Sequence, residues 1–281
     1  MAVNSIVTNA SAFVALRNMT NINQAMQTTQ NRVSTGLRVA SALDDSSNFA
    51  VAQGVRAEIK ALGAVSQGLN NTKGVGKVAL AGATGVSNLL GDIRAKMTEL
   101  SNDGITTTQR SLLETDLDAL VDQAKNFVSN SSFNDTNIIE TGGSAIATIS
   151  NLANDTLTLS AHDLQADIET LESAIFNAFS DGAASDVQAL LVATTGAFDV
   201  LETAVNTALN DLGSDVRALD LQTDFLEDIT AATEEGLGNI VDADMARESA
   251  RMTALQVQQQ LSVQTLGIIN QAPQSLLGLF R

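Results

Sequence analysis

Eleven residues spaced alternately four and three apart dominate the pattern of this chain: Val205, Leu209, Leu212, Val216, Leu219, Thr223, Leu226, Thr230, Thr233, Leu237 and Ile240. A 4, 3, 4, 3 spacing keeps one stripe of side chains on one face of an α-helix, and a strand would scatter it over two faces. The run covers about five heptads, or roughly 54 Å of helix at about 1.5 Å per residue. A helix of that length cannot cover its own stripe, so it needs partner helices. The threonines weaken the seam and favour a multi-helix bundle over a simple dimer. Pro273 is the only proline, so almost nothing in the chain interrupts long helices.

The same period recurs elsewhere. Val3, Ile6, Ala10, Phe13, Leu16, Met19, Ile22, Met26, Thr29 and Val33 form an N-terminal stripe that stops at Ser34-Thr35-Gly36. A second helix is expected from Asp44-Asp45-Ser46, whose side chains can cap free N–H groups, to about Leu100. Thr106 to Gln109 reads as a capping box, and the helix behind it should end at Asn130-Ser131-Ser132. Thr156–Ser160 alternates polar and apolar, the strand signal, with Ala145–Asn151 as partner and Asn154-Asp155 as turn. Helical spacing returns over Ala166–Phe179. After Gly236 and Gly238 a last helix is expected to about Gln271, with Ala250, Ala254, Val257, Leu261, Thr265 and Ile268 as its stripe. Leu255, Leu266 and Ile269 widen it, and Pro273 should fall at or past its end. The expected fold is mainly α: long antiparallel helices with paired N- and C-termini and a small β-hairpin in the middle.

Charge divides the chain. The net charge is 15 − 32 = −17, yet no acid precedes Asp44 and no charge stands between Met252 and Phe280. Asn126–Val216 carries 13 acids and no Lys or Arg. Helices almost free of charge are normally covered on most sides, so both ends should be buried against each other or against copies of the same chain. The acidic middle then faces water. This balance disfavours nucleic acid and anionic membrane surfaces as partners. No window is long and apolar enough to span a bilayer. Met1–Leu16 has no basic n-region, so a cleaved signal peptide is not expected. With no cysteine, a disulfide framework or thiol nucleophile is excluded.

Catalytic candidates are poor, and no cofactor is expected. His162, the only histidine, reads as a solvated or locally bonded loop residue near Asp163 and Asp167. Gly74-Val75-Gly76-Lys77 has the wrong spacing for a phosphate loop and lies in a helical stretch. Asp242 and Asp244 lack the surroundings of a calcium loop, so no metal site is expected.

Both ends resemble the bacterial flagellins. The carriers are Ile6-Val7-Thr8-Asn9, Arg32-Val33-Ser34-Thr35-Gly36-Leu37-Arg38 through Asp44-Asp45, and Asn239-Ile240-Val241-Asp242-Ala243-Asp244-Met245-Ala246. Gln271-Ala272-Pro273-Gln274 through Arg281 matches the family's ending. Phe133-Asn134-Asp135 resembles its "F-N-G" turn with Asp in place of Gly. The resemblance covers about 1–139 and 209–281, and the length is that of short alphaproteobacterial members without a large variable outer domain. It implies residues 1–45 plus 237–281 as an inner-tube coiled coil and 46–236 as an outer bundle with a hairpin around 145–160. It implies self-assembly into the filament that drives swimming, outside the cell, after unfolded export by the flagellar type III apparatus. Implied partners are further copies, junction and cap proteins, and a cytosolic export chaperone. The ends would be largely disordered in the free subunit and fold on assembly. The alternative is the hook–filament junction protein, which shares the N-terminal character.

The expected contacts between subunits are Arg32, Arg38, Asp44, Asp45, Asp242, Asp244, Arg247 and Arg251, with Glu248 in the same polar zone. The stretch Leu89–Leu100 aligns with the family segment recognised by an animal innate immune receptor. Its "Q-R-V-R-E-L-A-V" is replaced here by Gly91-Asp92-Ile93-Arg94-Ala95-Lys96-Met97-Thr98. Arg94 survives, Lys96 is a nearby cation, and Asp92 replaces an arginine, so the resemblance implies weak or no receptor activation.

Overall fold

The computed structural model describes residues 9–181, 184–192 and 195–278, with side chains at 180, 181, 184, 185 and 272–278 outside that description. Readings placed on Val3, on Ile6-Val7-Thr8 and on Leu279-Phe280-Arg281 fall outside the described residues. Among these residues the order is α1 (Ala10–Thr35), α2 (Ser46–Leu100), α3 (Thr107–Ser129), β1 (Ile146–Ile149), β2 (Thr156–Leu159), α4 (Leu164–Asp181), α5 (Ala184–Leu190), α6 (Ala197–Val241) and α7 (Met245–Gly278). The mainly α fold with one small hairpin is the one expected.

Local chemistry sets most of these boundaries. Asn9 caps α1, its side chain accepting from Ala12 N, and Gly36 ends it in a left-handed conformation at φ 72°. Asp45 caps α2 by accepting from Ser47 N at 3.1 Å and Asn48 N at 3.0 Å. The Thr106/Gln109 capping box opens α3, and Asn130 closes it. The hairpin is antiparallel, with Ile146 opposite Leu159 and Ile149 opposite Thr156, and Asn154 turns it at φ 69°. At Phe133-Asn134-Asp135-Thr136 both central residues have positive φ, 50° and 59°. Phe133 and Thr136 exchange backbone hydrogen bonds at 3.0 Å. Asp135 thus holds a backbone conformation that glycine adopts without strain.

Two expectations need correction, and one helix has no counterpart in the sequence pattern. α6 runs through Gly236 and Gly238 to Val241, and the break falls at Asp242–Asp244 instead. Glycines lower helix stability without ending a helix, whereas the Asp244 carboxylate caps a new one by accepting from Ala246 N and Arg247 N. α7 continues past Pro273 to Gly278: proline removes one ladder bond and its ring crowds the carbonyl one turn back, but so near the helix end this does not stop the helix. The helix without a counterpart is α5.

Contacts divide the chain into two compact units, one of Met1–Ile59 with Ala231–Arg281 and one of Lys60–Thr230. The second unit holds the main core: Val86, Leu90, Ile93, Met97 and Leu100 of α2 with Leu117, Val121 and Val128 of α3, Ile168 and Leu171 of α4, and Val205 and Leu212 of α6. Close approach here requires glycine on α2. A Cβ on Gly76 would stand 2.7 Å from Val216, and one on Gly82 would collide with Ser131. Every α6 seam position from Val205 to Ile240 is buried or half-buried. The buried Thr223 hydroxyl donates to Leu219 O at 2.8 Å, which satisfies the polar group in the seam.

In the first unit α1 packs along α7. Arg32 meets Glu248 and Asn23 meets Gln259, so the two helices run antiparallel. A small cluster of Val39, Ala52 and Val241, flanked by Leu37, Phe49, Leu237 and Ile240, packs beside the break between α6 and α7.

Candidate assembly interface

α7 has two apolar faces. Met252, Leu255, Gln259, Ser262, Leu266 and Ile269, spaced 3, 4, 3, 4, 3, are buried or half-buried. The stripe read from the sequence, Ala250, Ala254, Val257, Leu261, Thr265 and Ile268, is exposed at every position. Val257, Leu261 and Ile268 keep 51, 55 and 70 % of their surface open. On α1 only Thr29 is buried, while Phe13, Val14 and Leu16 are exposed. Between the helices lies a groove of roughly 450 Å³ lined by Val14, Ala15, Asn18, Thr265 and Ile269. A contiguous exposed apolar stripe of this kind makes the face a candidate interaction site. The sequence stripe had the correct period, but its half-covered flank, not its centre, faces α1.

Polar residues of the same unit gather where α1 gives way to the segment before α2, and α6 to α7. Arg38 N and Val39 N donate to Val241 O at 2.7 and 3.3 Å, and Ala243 N donates to Gly36 O at 2.9 Å. The Arg38 guanidinium donates to Ile240 O at 2.6 Å. Asp44 accepts from Ser41 N at 2.9 Å, from the Ser41 hydroxyl at 3.0 Å and from Ala40 N at 3.2 Å. The Ser41 hydroxyl, helped by these N–H groups, holds the Asp44 carboxyl below its ordinary range. The Asn48 N–H does the same for Asp45, helped by the Asn48 side chain. Arg32 lies 3.3 Å from Glu248.

The structure thus brings Arg32, Arg38, Asp44, Asp45 and Asp244 into contacts within their own chain. Asp242, Arg247 and Arg251 are exposed, and their side chains have no partner among the described residues. Leu43, in the same junction, is 98 % exposed. Glu248 is the partner the sequence reading left in a general polar zone. The available signal was its position as the last acid before a charge-free stretch.

Other candidates sit in the second unit. Arg94 lies 3.3 Å from Glu202 and over the Phe198 ring at 5.3 Å, while Lys96 reaches Glu99 and Asp116 at 3.5 Å each. Asp92 is exposed. His162 is held by the loop: its N–H donates to Ile138 O, and its ring stands 3.5 Å from Asp211. Gly74 to Lys77 lies inside α2, with Gly74 against the Phe133 ring, so it forms no anion-binding loop.

Comparisons with known proteins agree with this arrangement. Residues 6–143 match the bacterial flagellin N-terminal helical region, and 195–280 match the bacterial flagellin C-terminal helical region. Flagellin FljK of Caulobacter vibrioides is 33 % identical over the whole of both chains, and a flagellin of Brucella melitensis is 34 % identical over 99 % of each. In fold the chain resembles a chain described as a flagellar hook-associated protein from Vibrio parahaemolyticus. The TM-score is 0.57 at 15 % identity, over 71 % of this chain and all of that one. The chain belongs to the bacterial flagellin family, structural subunits of the flagellar filament rather than enzymes.

Proposed function

We propose that this chain builds the filament by covering the open stripe of α7 and the exposed apolar residues of α1 with further copies of itself. The observation that carries the reading is the stripe from Ala250 to Ile268, exposed throughout on a helix with no charge beyond Arg251. Burying one such Val, Leu or Ile side chain is worth about 1.5–3 kcal/mol, so a few per subunit suffice for cooperative assembly. Residues 1–45 with 237–281 then form an inner tube, and 46–236 an outer one. Arg247, Arg251, Asp242 and Leu43 face neighbouring copies, as do the outer sides of Arg38, Asp44, Asp45 and Asp244.

Helices covered on one side only are marginal in isolation. In the free subunit α1 and α7 therefore melt, and they form on assembly. The acidic unit keeps the subunit soluble, and added salt promotes assembly by screening repulsion between acidic surfaces. Such a subunit suits unfolded export by the flagellar type III route without a cleaved signal. It would be escorted by a chaperone that grips the C-terminal segment, joined to the hook through junction proteins and added beneath a cap outside the cell. Activation of the animal flagellin receptor is weak or absent, because Asp92 places an anion where the family segment has an arginine and both Arg94 and Lys96 are engaged within the chain. A reporter-cell response at ordinary flagellin doses would overturn that point.

Seeded polymerisation viewed by electron microscopy tests the main reading. Long filaments are expected. Growth that stops after a short zone would favour a junction protein, and no growth would overturn both. Limited trypsin digestion tests the state of the ends. Cuts at Arg17, Arg32, Arg38, Arg247 and Arg251 are expected in the free subunit and not in the filament. Asn126–Val216, which holds no Lys or Arg, stays intact in either case.

A further inference from the structure

We propose that Arg32 and Glu248 form a register lock inside each subunit, fixing which face of α7 is presented to neighbouring copies. The inference rests on the filament reading above and assigns Arg32 a role within its own chain rather than across a subunit boundary.

The pair joins the last turn of α1 to the first turn of α7, with Arg32 Nη1 3.3 Å from Glu248 Oε1. The side chains are only 26 and 11 % exposed within the one chain, so once α1 and α7 have formed, their own packing withdraws the charges from water without help from a second copy. Among the described residues this is the only ion pair between the two helices. Elsewhere the seam is held by the neutral Asn23–Gln259 contact and by half-buried apolar side chains, with only Thr29 and Leu255 fully covered.

Such a seam discriminates poorly between registers. A slip of one turn, about 5.4 Å, exchanges one apolar contact for a similar one. It also removes Glu248 from Arg32 and leaves a buried carboxylate and a half-buried guanidinium uncompensated, which costs more than loss of a fully exposed pair. Buried polar pairs are best attested as devices that specify register. The backbone ties beside it, Ala243 N to Gly36 O and Arg38 N to Val241 O, hold the same crossing. Arg32 Nε and Glu248 Oε2 are buried without a hydrogen-bond partner, so the pair contributes specificity at a cost in stability.

The chain has no cysteine, so Arg32→Cys/Glu248→Cys places a unique thiol pair. In assembled filaments, a short bis-maleimide, which adds both thiols across its two double bonds, should join them within one chain, leaving a single-chain band on a denaturing gel with one crosslinker per chain and no titratable thiol. Dimers and ladders, or thiols that remain free, would overturn the proposal. Charge reversal tests the function: R32E and E248R should each slow seeded polymerisation about tenfold or more, and R32E/E248R should recover to within about threefold of the unsubstituted chain. Thermal unfolding of the Lys60–Thr230 unit should not move. Single variants that polymerise normally, or a double variant that stays slow, would overturn the lock. An unsubstituted chain that forms no filament would overturn the filament reading instead, so the two failures are distinct.

Discussion

α6 and α7 carry stripes of the same period, and they end in opposite states. Along α6 every seam residue from Val205 to Ile240 is covered by its own chain. Along α7 every residue of the stripe from Ala250 to Ile268 is open. The difference lies in what surrounds each helix. α6 meets the other helices of the acidic unit, where Asp and Glu hold the outer faces in water. Among the described residues α7 packs along α1 on one flank, and it has no charge after Arg251 to solvate the remainder. Periodicity reports that a face must be covered, and charge on the opposite face reports whether one chain can finish the task. In α6 the two signals agree. In α7 the missing charge fits the proposal that further copies supply the cover.

A charge placed in each stripe should break the comparison most sharply. Leu261→Asp puts a carboxylate where assembly would bury it unpaired, and should slow polymerisation by about 100-fold or more. Melting of the Lys60–Thr230 unit should be unchanged. Polymerisation at the ordinary rate would show that the open face is not the interface.

Next in size is the reverse case. Leu212→Ala removes a fully buried side chain from the main core and should destabilise the acidic unit by about 2–5 kcal/mol in denaturant unfolding. Val257→Ala, in the open stripe, should leave that transition within about 0.5 kcal/mol and act on assembly alone.

The glycines of α2 sharpen the picture at a smaller scale. Gly82→Ala drives a Cβ into Ser131 and should cost about 1–3 kcal/mol through overpacking. Gly91 has open space beside it, and Gly91→Ala should stabilise by about 0.5–1 kcal/mol through helix propensity. Equal effects would mean that close packing does not account for the glycines of this helix.

These pairs also show what could be read without a structure. The limits of α2, the capping box at Thr106, the stop at Asn130 and the hairpin were legible, because each rests on chemistry within four residues. The end of α6 was not: Gly236 and Gly238 resemble a stop, but it is the Asp244 cap that starts a new helix. The facing side of α7 was also hidden. With apolar residues on more than one face and no charge after Arg251, its pattern permits either flank, and contact with α1 decides between them. Of the site, the residue types and the junction were legible, but not the pairing of Arg32 with Glu248, because the partners lie 216 residues apart.

pH should separate the two units by the sign of a small effect. In the acidic unit, burial, together with the charges of Asp122 and Glu172, raises the Asp118 carboxyl above its ordinary value of 3.8. Burial and then Asp163 do the same for Asp167. A carboxyl raised in the folded state disfavours folding while ionised, so the acidic unit gains stability as pH falls from neutral through those raised values. Asp44 and Asp45 are lowered below 3.8, so the junction keeps their contribution above that pH and loses it as pH falls through their folded values. Between neutral pH and about 4, the acidic unit should therefore firm while the junction stays unchanged; below about 3.8 the junction should loosen. Thermal melting reads the first change, and Asp118→Asn with Asp167→Asn should flatten it. Relief of general repulsion would survive those substitutions and so can be told apart. Amide exchange at Ser41, Ser47 and Asn48, corrected for intrinsic rates, reads the second, because their N–H groups donate to Asp44 and Asp45. Exchange that accelerates already at pH 5 would mean that these carboxylates do not hold the junction.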